Sequence, residues 1–178
     1  MPNWCSNSLE ISKHTESGIK LIDAFRENHV DEHGKKFSTP FTDLFPTPSE
    51  LMNVPADHRG ESPEHLANKA KYGHADWYGW RLANWGTKWD ACETYISHED
   101  DDSVVVIFET AWSPPTELLA WYAQQNPDVV FVNEFSEEGC CFAGYDCNSA
   151  SGFDSQCWEL HSAPRFEDLM EEIPETEK

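Results

Sequence analysis

The order of hydrophobic patterns predicts an α+β domain in which two strand–helix units share one sheet. Residues 4–12 alternate loosely, as in a strand, and Thr15 is placed to cap a helix that runs to about Asn28. Residues 92–97 and 103–110 are rich in β-branched side chains and flank an acidic turn, so they predict a hairpin. A helix that stops before Asn126 and a strand over residues 129–135 complete the order β-α-β-β-α-β. This order is the split βαβ, or ferredoxin-like, arrangement.

Three further segments extend this minimal fold. Residues 30–82 form a long insertion between the first helix and the second strand, which we expect to pack over the sheet or one of its ends, with a short helix at about 64–72. Residues 140–147 and 156–160 predict one or two extra C-terminal strands. We therefore expect one domain over residues 1–162, followed by an acidic helix or tail over residues 163–178. Ser113 and Pro114 are the expected N-cap and first residue of the second helix.

The charge of the chain restricts its partners. Thirty-three Asp and Glu against twelve Lys and Arg leave a formal charge of −21. Such a charge repels phosphate backbones and anionic membranes over about 8 Å at physiological salt, so we expect no direct binding to nucleic acid or to a membrane. The same charge attracts a basic groove on another protein. Solubility and adaptation to high salt are the two alternative explanations for it.

Cysteine usage and the start of the chain predict a cytoplasmic protein without cofactors. Residues 1–5 lack the basic and apolar regions of a signal peptide, and no run approaches the roughly 18 apolar residues of a membrane helix. The six cysteines, none in a Cys-x-x-Cys pair, would then be reduced. Adjacent strand residues point to opposite faces, so a zinc site is not expected from the one candidate cluster, which comprises Cys140, Cys141, Cys147, Cys157 and His161.

The sequence lacks the motifs of common enzyme mechanisms. It contains no Gly-x-Ser-x-Gly elbow, no phosphate-binding Gly-x-x-x-x-Gly-Lys loop and no His-Glu-x-x-His zinc motif. The eight histidines are scattered along the chain. We therefore expect a protein that acts by binding and not by catalysis.

Two tryptophan-rich segments, residues 84–91 and 108–115, define a candidate site. In the predicted topology both lie at one end of the sheet, together with the turn at residues 137–139 and opposite the turn at residues 99–102. Their large rings either fill the end of the core or line a pocket for a small ligand or peptide, and the sequence leaves both possibilities open. The candidate binding residues are Arg81, Trp85, Lys88, Trp89, Asp90, Trp112 and Ser113.

These segments also carry a family resemblance. The stretches Pro-Asn-Trp-Cys-Ser-Asn at residues 2–7, Asn-Trp-Gly-Thr-Lys-Trp-Asp-Ala at residues 84–91 and Phe-x-Thr-Ala-Trp-Ser-Pro-Pro at residues 108–115 resemble the YubB-like family of bacteriophage and conjugative-plasmid proteins. The resemblance spans most of the chain up to about Leu160 and implies a ferredoxin-like domain encoded by a mobile element. It implies no activity and no catalytic residues.

Charge and resemblance together predict an accessory binding protein, in particular an anti-CRISPR or anti-restriction inhibitor that mimics nucleic-acid charge in a basic groove of a host protein. A pocket protein that binds a small molecule or a nucleotide at the tryptophan-rich end is the alternative. The sequence leaves the oligomeric state open. The predicted acidic surface comprises Glu99, Asp100, Asp101, Asp102, Glu137, Glu138, Glu167, Asp168, Glu171 and Glu172.

Overall fold

One six-stranded antiparallel sheet organises the chain. The structure, a computed structural model, describes residues 2–26, 29–30, 32–56 and 62–160. The strands of the large sheet are β1 (Trp4–Ser12), β4 (Cys92–Glu99), β5 (Ser103–Ala111), β6 (Phe131–Glu137), β7 (Phe142–Ser149) and β8 (Gly152–Glu159), and a separate small hairpin comprises β2 (His29–Val30) and β3 (Lys36–Phe37). The helices are α1 (Glu16–Phe25), α2 (Pro40–Leu44), α3 (Ser49–Met52), α4 (Pro63–Tyr72), α5 (Trp77–Trp85) and α6 (Thr116–Gln125).

The strand order confirms the predicted ferredoxin-like fold. The sheet runs β4-β5-β1-β6-β7-β8, so β1 lies between β5 and β6, as the split βαβ arrangement requires. Trp4 pairs with Ala111, and Ser12 pairs with Ser103. Ser6 pairs with Ser136 on β6. We call the end where β1 begins, and where β5 and β6 finish, the base of the sheet.

Alternation along the strands gives the sheet one covered and one open face. Leu9, Val106, Phe108 and Phe131 point to the covered face, where they join the core with Leu21, Leu118 and Tyr122 from α1 and α6. The residues between them point to the other face and are half-buried or exposed. That second surface, which we call the open face, carries Ser6, Ser8 and Glu10 on β1, Val105, Ile107 and Glu109 on β5, and Val132, Glu134 and Ser136 on β6.

The insertion adds its own aromatic side chains to the core. Phe41 and Leu51 are fully buried, and Phe41 packs against Phe25 and Phe108 at centroid distances of 6.5 and 6.1 Å. Phe45 stacks on Trp121 of α6 at 4.1 Å. The predicted helix at 64–72 is confirmed as α4, with Ser62 as N-cap and Gly73 as a left-handed C-cap. The insertion therefore completes the covered side of the sheet.

The start of one helix and the presence of another differ from the sequence-based predictions. Helix α6 starts at Thr116 with Pro115 at its N-cap, and Ser113 is not the cap because its hydroxyl donates to the carbonyl of Gly86 instead. The end of the insertion contains α5, which the sequence patterns did not predict. Thr15, by contrast, caps α1 as predicted, since its Oγ1 accepts from Gly18 N at 3.0 Å.

Both extra C-terminal strands are present. β7 pairs with β6, and β8 pairs with β7 over its full length. The predicted acidic segment after Leu160 lies outside the described residues. No helix in the described part of the chain has the length and apolar character needed to cross a membrane.

Candidate functional site

The two tryptophan-rich segments meet at the base of the sheet, as the topology predicts. The hydroxyl of Ser113 donates to the Gly86 carbonyl at 2.5 Å, and the hydroxyl of Thr87 donates to the Ala111 carbonyl at 2.9 Å. Gly86 follows α5 in the left-handed conformation, with φ of 84°. A Cβ on Gly86 would lie 2.8 Å from the Pro114 carbonyl oxygen. Glycine is therefore required here both by the backbone angle and by the close approach of the second segment.

Replacing Gly86 by Ala is expected to lower the free energy of unfolding by about 2 kcal/mol, because it combines a left-handed alanine with a backbone clash. Gly73 is the matched control, since it also ends a helix with positive φ, but a Cβ added to it would have no atom within 4 Å. Urea denaturation of both variants separates the cost of a left-handed alanine, which both variants share, from the cost of the backbone clash, which only Gly86→Ala has. Equal losses for Gly86→Ala and Gly73→Ala would contradict the close approach of the two segments.

Trp85 belongs to the core and does not line a pocket. Its side chain is fully buried, and its Nε1 donates to the Phe45 carbonyl at 2.9 Å. The Arg81 guanidinium lies 4.3 Å from the centre of the Trp85 ring and 5.3 Å from that of Trp77. Arg81 also donates to Thr47 Oγ1 at 3.0 Å. Two of the candidate binding residues, Arg81 and Trp85, are thus engaged within the fold.

Asp90 anchors the insertion to the end of the sheet. It accepts hydrogen bonds from the backbone N–H groups of Phe41 and Thr42, each at 3.0 Å, and from the Thr42 hydroxyl at 2.8 Å. Burial raises the pKa of Asp90, while the bonds from Phe41 and Thr42 favour the ionised form. Its carboxylate is therefore occupied at the start of α2 and is not available to a ligand.

Three other tryptophans form an exposed rim at the base. Trp4, Trp89 and Trp112 are 42%, 37% and 43% exposed, which is unusual for rings of this size at three neighbouring positions. Trp4 and Trp89 are in contact, with centroids 6.0 Å apart, and Lys88 Nζ lies 4.2 Å from the Trp89 centroid. Trp112 has φ of 75°, a conformation that favours glycine. Trp4, absent from the sequence-based site, therefore joins Lys88, Trp89 and Trp112 as a candidate binding residue.

A cleft of about 690 Å³ opens beside Trp4 on the open face. This volume falls in the range of small-ligand sites. Its walls come from the first residues of β1 and β4 and the last residues of β5 and β6. The lining includes Trp4, Ser6, Glu93, Glu109, Glu137 and Glu138. The cleft is thus lined by one tryptophan and four glutamates, of which Glu137 is buried and accepts from the backbone N–H groups of Gly139 and Cys140.

Carboxylates continue along the open face above the cleft. Glu109 accepts from Ser6 Oγ at 2.8 Å, and Glu10 accepts from Ser103 Oγ at 3.0 Å. On β8, Asp154 accepts from the Tyr145 hydroxyl at 2.7 Å. Hydroxyl donors are neutral, so they orient these carboxylates without cancelling their charge. Burial and the neighbouring charge of Glu10 raise the pKa of Glu134, whose carboxyl lies on the adjacent strand.

Cations are absent from this sheet. None of the residues in β1 or β4–β8, all of which lie in the described part of the chain, is Lys or Arg. In the sequence, no Lys or Arg occurs between Lys88 and Arg165. The negative potential of the open face is therefore not balanced by a basic side chain on its own strands.

The two predicted acidic turns lie at opposite ends of the sheet, as the topology predicts. Residues 99–102 lie at the far end of the sheet from Glu137 and Glu138, so they do not form one continuous patch with them. Glu99 pairs with Lys13 and Arg26, each at 3.0 Å. Asp100 accepts the backbone N–H groups of Asp102 and Ser103, which close the turn. The other four predicted acids, Glu167, Asp168, Glu171 and Glu172, lie outside the described residues.

Cysteine placement does not assemble a metal site. Cys147 pairs with Asp154 and lies on the open face. Cys157 pairs with Gly144, which is three residues from Cys147 on the same strand, so the Cys157 side chain points to the opposite face. His161 lies outside the described residues. Within residues 2–26, 29–30, 32–56 and 62–160, no group of three His, Cys, Asp or Glu side chains is positioned to hold a metal ion.

The open-face site could not be predicted from the sequence because it depends on strand register. Glu10, Glu109 and Glu134 are far apart in the chain and become neighbours only when β1 pairs with β5 and β6. The sequence does carry one signal for this site, because its strand segments contain no Lys or Arg. Alternation places half of the residues of each strand on one face, so an exposed face of these strands would lack basic side chains.

Comparison with known proteins supports the fold. The crystal structure of protein Api92 from Yersinia pseudotuberculosis superposes with a TM-score of 0.55 and 12% sequence identity, covering 93% of this chain and 100% of that chain. Among curated proteins, none matches this chain. Residues 88–174, slightly less than half of the chain, match the family model described as the ferredoxin-like domain in Api92-like protein.

Proposed function

We propose that this chain is a non-enzymatic binding protein that presents the open face of its sheet to a basic groove of a nucleic-acid-binding partner. The observation that carries the proposal is the row of carboxylates on that face, Glu10, Glu109, Glu134 and Asp154, on strands without Lys or Arg. Three of them are oriented by neutral hydroxyls. Because these donors are neutral, the negative charge of the three carboxylates is not cancelled.

A sheet is a suitable support for charge mimicry. Its strands are about 4.8 Å apart and alternate residues about 6.7 Å apart, which holds the carboxylates in a rigid array. B-DNA carries one negative charge per roughly 1.7 Å of axis, so a protein that replaces it needs closely set, fixed anions. Burial, and after it the negative charge of Glu10, raises the pKa of Glu134. A basic partner would relieve the repulsion between these two carboxylates.

We further propose that the partner belongs to a restriction or CRISPR defence system. In this proposal the chain is encoded by a phage or plasmid and acts in the cytoplasm of a bacterial host. The support for this finer assignment is the resemblance of residues 84–91 and 108–115 to the YubB-like proteins, together with the net charge of −21. Blocking the basic groove of a defence enzyme would protect the DNA of a mobile element.

The alternative, a nucleotide pocket at the tryptophan-rich end, has less support. Trp85 is fully buried, and the Arg81 guanidinium stacks on it and donates to Thr47, so both side chains already have partners within the fold. The cleft that does open there is lined by carboxylates, which repel phosphate groups. Titration of the chain with nucleotides, followed by tryptophan fluorescence, should therefore give no saturating response.

The proposal predicts that the chain displaces duplex DNA from a purified restriction or CRISPR effector protein. Displacement is measured by the fluorescence anisotropy of labelled DNA, with direct binding of the two proteins measured in parallel. The double variant Glu10→Gln, Glu134→Gln should bind the effector about tenfold more weakly, because each exposed ion pair contributes up to roughly 1 kcal/mol. Binding should also weaken as salt is raised.

The matched control is Asp101→Asn, Asp128→Asn, which removes the same charge from exposed positions off the open face. Asp101 lies in the turn at residues 99–102, so this control also tests whether that turn binds the partner. An equal loss for both double variants would show that net charge, and not the open face, determines binding. Failure to displace DNA from any effector at low salt would refute the proposed function.

A further inference from the structure

The cleft at the base of the open face combines a flat aromatic wall with carboxylates. Trp4 forms the wall and is 42% exposed. Glu93, Glu109 and Glu138 line the remaining sides together with the buried Glu137, and none of the lining residues that the structure describes is Lys or Arg. An indole face attracts cations through its π electrons, and carboxylates attract them through charge, so both parts of the lining favour the same class of ligand.

Glu109 gives the cleft an unsatisfied acceptor. Its Oε1 accepts from Ser6 Oγ at 2.8 Å, which fixes the side chain on the floor of the cleft. Its Oε2 is shielded from solvent and has no hydrogen-bond donor among the described residues. A carboxylate oxygen in that state costs free energy, which a donor supplied by a ligand would offset.

The rim around Trp4 already holds a cation. Lys88 Nζ lies over the Trp89 ring at 4.2 Å, and the Trp89 ring contacts Trp4 at 6.0 Å. Within the core, the Arg81 guanidinium stacks at 4.3 Å on Trp85 in the same way. The indoles of this end of the sheet therefore bind cations inside the molecule, while the exposed face of Trp4 lies next to carboxylates and no basic lining residue.

We propose that the cleft binds the guanidinium group of an arginine from the partner protein. A guanidinium is planar and carries its N–H donors in that plane, so it can stack on Trp4 and at the same time donate to the Glu109 carboxylate, which a compact ammonium cannot do. The exposed Trp89 and Trp112 extend the contact beyond the cleft, in keeping with the frequency of tryptophan at the centre of interfaces. This inference rests on the proposed function and names the anchoring contact within it.

The test uses three short peptides of alternating glycine with arginine, lysine or citrulline. Citrulline has the shape of arginine without its charge. Binding is followed through the indole N–H resonances of the intact chain in a proton–nitrogen correlation spectrum, with the Trp4 signal assigned from Trp4→Phe. The arginine peptide is expected to shift the Trp4 signal saturably, the lysine peptide to bind about tenfold more weakly, and the citrulline peptide to leave the signal unchanged.

Two variants locate the contact. Glu109→Gln keeps an acceptor for Ser6 but removes the charge, and Trp4→Ala removes the wall; each should weaken arginine-peptide binding about tenfold. Asp101→Asn, at the opposite end of the sheet, should have no effect. Equal binding of the lysine and arginine peptides, or unchanged binding by Glu109→Gln, would overturn the inference.

The outcome is separable from that of the proposed function. If the arginine peptide does not bind but the chain still displaces DNA in a manner that depends on Glu10 and Glu134, the cleft assignment fails and the proposed function stands. If the peptide binds as described but no effector releases its DNA, the cleft assignment stands and charge mimicry fails.

Discussion

Replacing Trp85 by Ala is expected to lower the free energy of unfolding by about 4 kcal/mol, the range typical of a deleted core aromatic. The Trp85 ring is fully buried and packs against Phe41 and Trp80 at centroid distances of 5.8 and 6.2 Å. The substitution also leaves the Phe45 carbonyl without its donor and the Arg81 guanidinium without its stacking partner. Urea denaturation followed by circular dichroism measures the loss.

Trp89→Ala is the matched control, because it removes the same side chain from the same segment. The Trp89 ring is 37% exposed and contacts Trp4 and Lys88 at the rim. We expect it to cost less than about 1 kcal/mol, since most surface substitutions have small effects. A comparable loss in both variants would mean that the tryptophan-rich segment is one structural unit, without the division into core and rim on which the cleft assignment depends.

The regular part of the fold was predictable because each element carries a local signal. The β-branched run of β5 alternates between faces, and Thr15 caps α1 with its own hydroxyl. These signals lie within a few residues of the structure they determine. Strand order then follows from the handedness of the two βαβ connections, which is why the convergence of residues 84–91 and 108–115 was predictable from the order of the elements alone.

Helix α5 shows where a local signal was available but obscured. Asp76 accepts from Gly79 N at 3.0 Å as an N-cap, and Gly86 ends the helix in the left-handed conformation. An acidic cap and a glycine on either side of nine residues are a helix signature. The tryptophans within the helix obscure this signature, because clustered large rings are also typical of a ligand site. Three of them, Trp77, Trp80 and Trp85, are helical residues that pack toward the core.

The roles of polar residues were the least predictable, because they depend on partners far away in the chain. Asp90 is sequence-adjacent to the rim but is buried by the insertion, whose Phe41 and Thr42 donate to it. Glu99 is part of an acidic run, yet it is paired with Lys13 and Arg26 from the first strand–helix unit. The sequence alone indicates the charge of such residues, but it does not indicate which groups contact them in the folded chain.

The extra hairpin formed by β7 and β8 depends on one such residue, Asp146. Its carboxylate is fully buried and accepts from Ser155 Oγ at 2.7 Å, Thr116 Oγ1 at 3.1 Å and Asn133 Nδ2 at 3.4 Å. These donors belong to β8, α6 and β6, so Asp146 connects the added strands to the ferredoxin-like core. Asp146→Ala removes the shared acceptor of three donors, of which Asn133 is fully buried and Thr116 half-buried, and should lower the free energy of unfolding by roughly 2 kcal/mol.

The same residue predicts a pH dependence of stability. Burial raises the pKa of Asp146, against the opposing effect of its bonds from Ser155, Thr116 and Asn133. A carboxyl with a raised pKa holds its proton more tightly in the folded chain than in the unfolded chain. Its contribution to stability is therefore fully present below the ordinary value of about 4 and is lost as pH rises through the folded pKa.

Asp146→Asn is expected to remove this loss. The amide can keep all three contacts, because the Ser155 hydroxyl can reverse to accept from the new N–H₂ while the remaining oxygen accepts from Thr116 and Asn133. The stability of the variant relative to the natural chain should then increase as pH is raised from about 4 to neutral. Asp154→Asn on the exposed side of β8 controls for net charge. If the stability of Asp146→Asn relative to the natural chain stays constant or falls over this interval, the prediction is wrong. The three donors would then stabilise the ionised carboxylate by more than burial destabilises it.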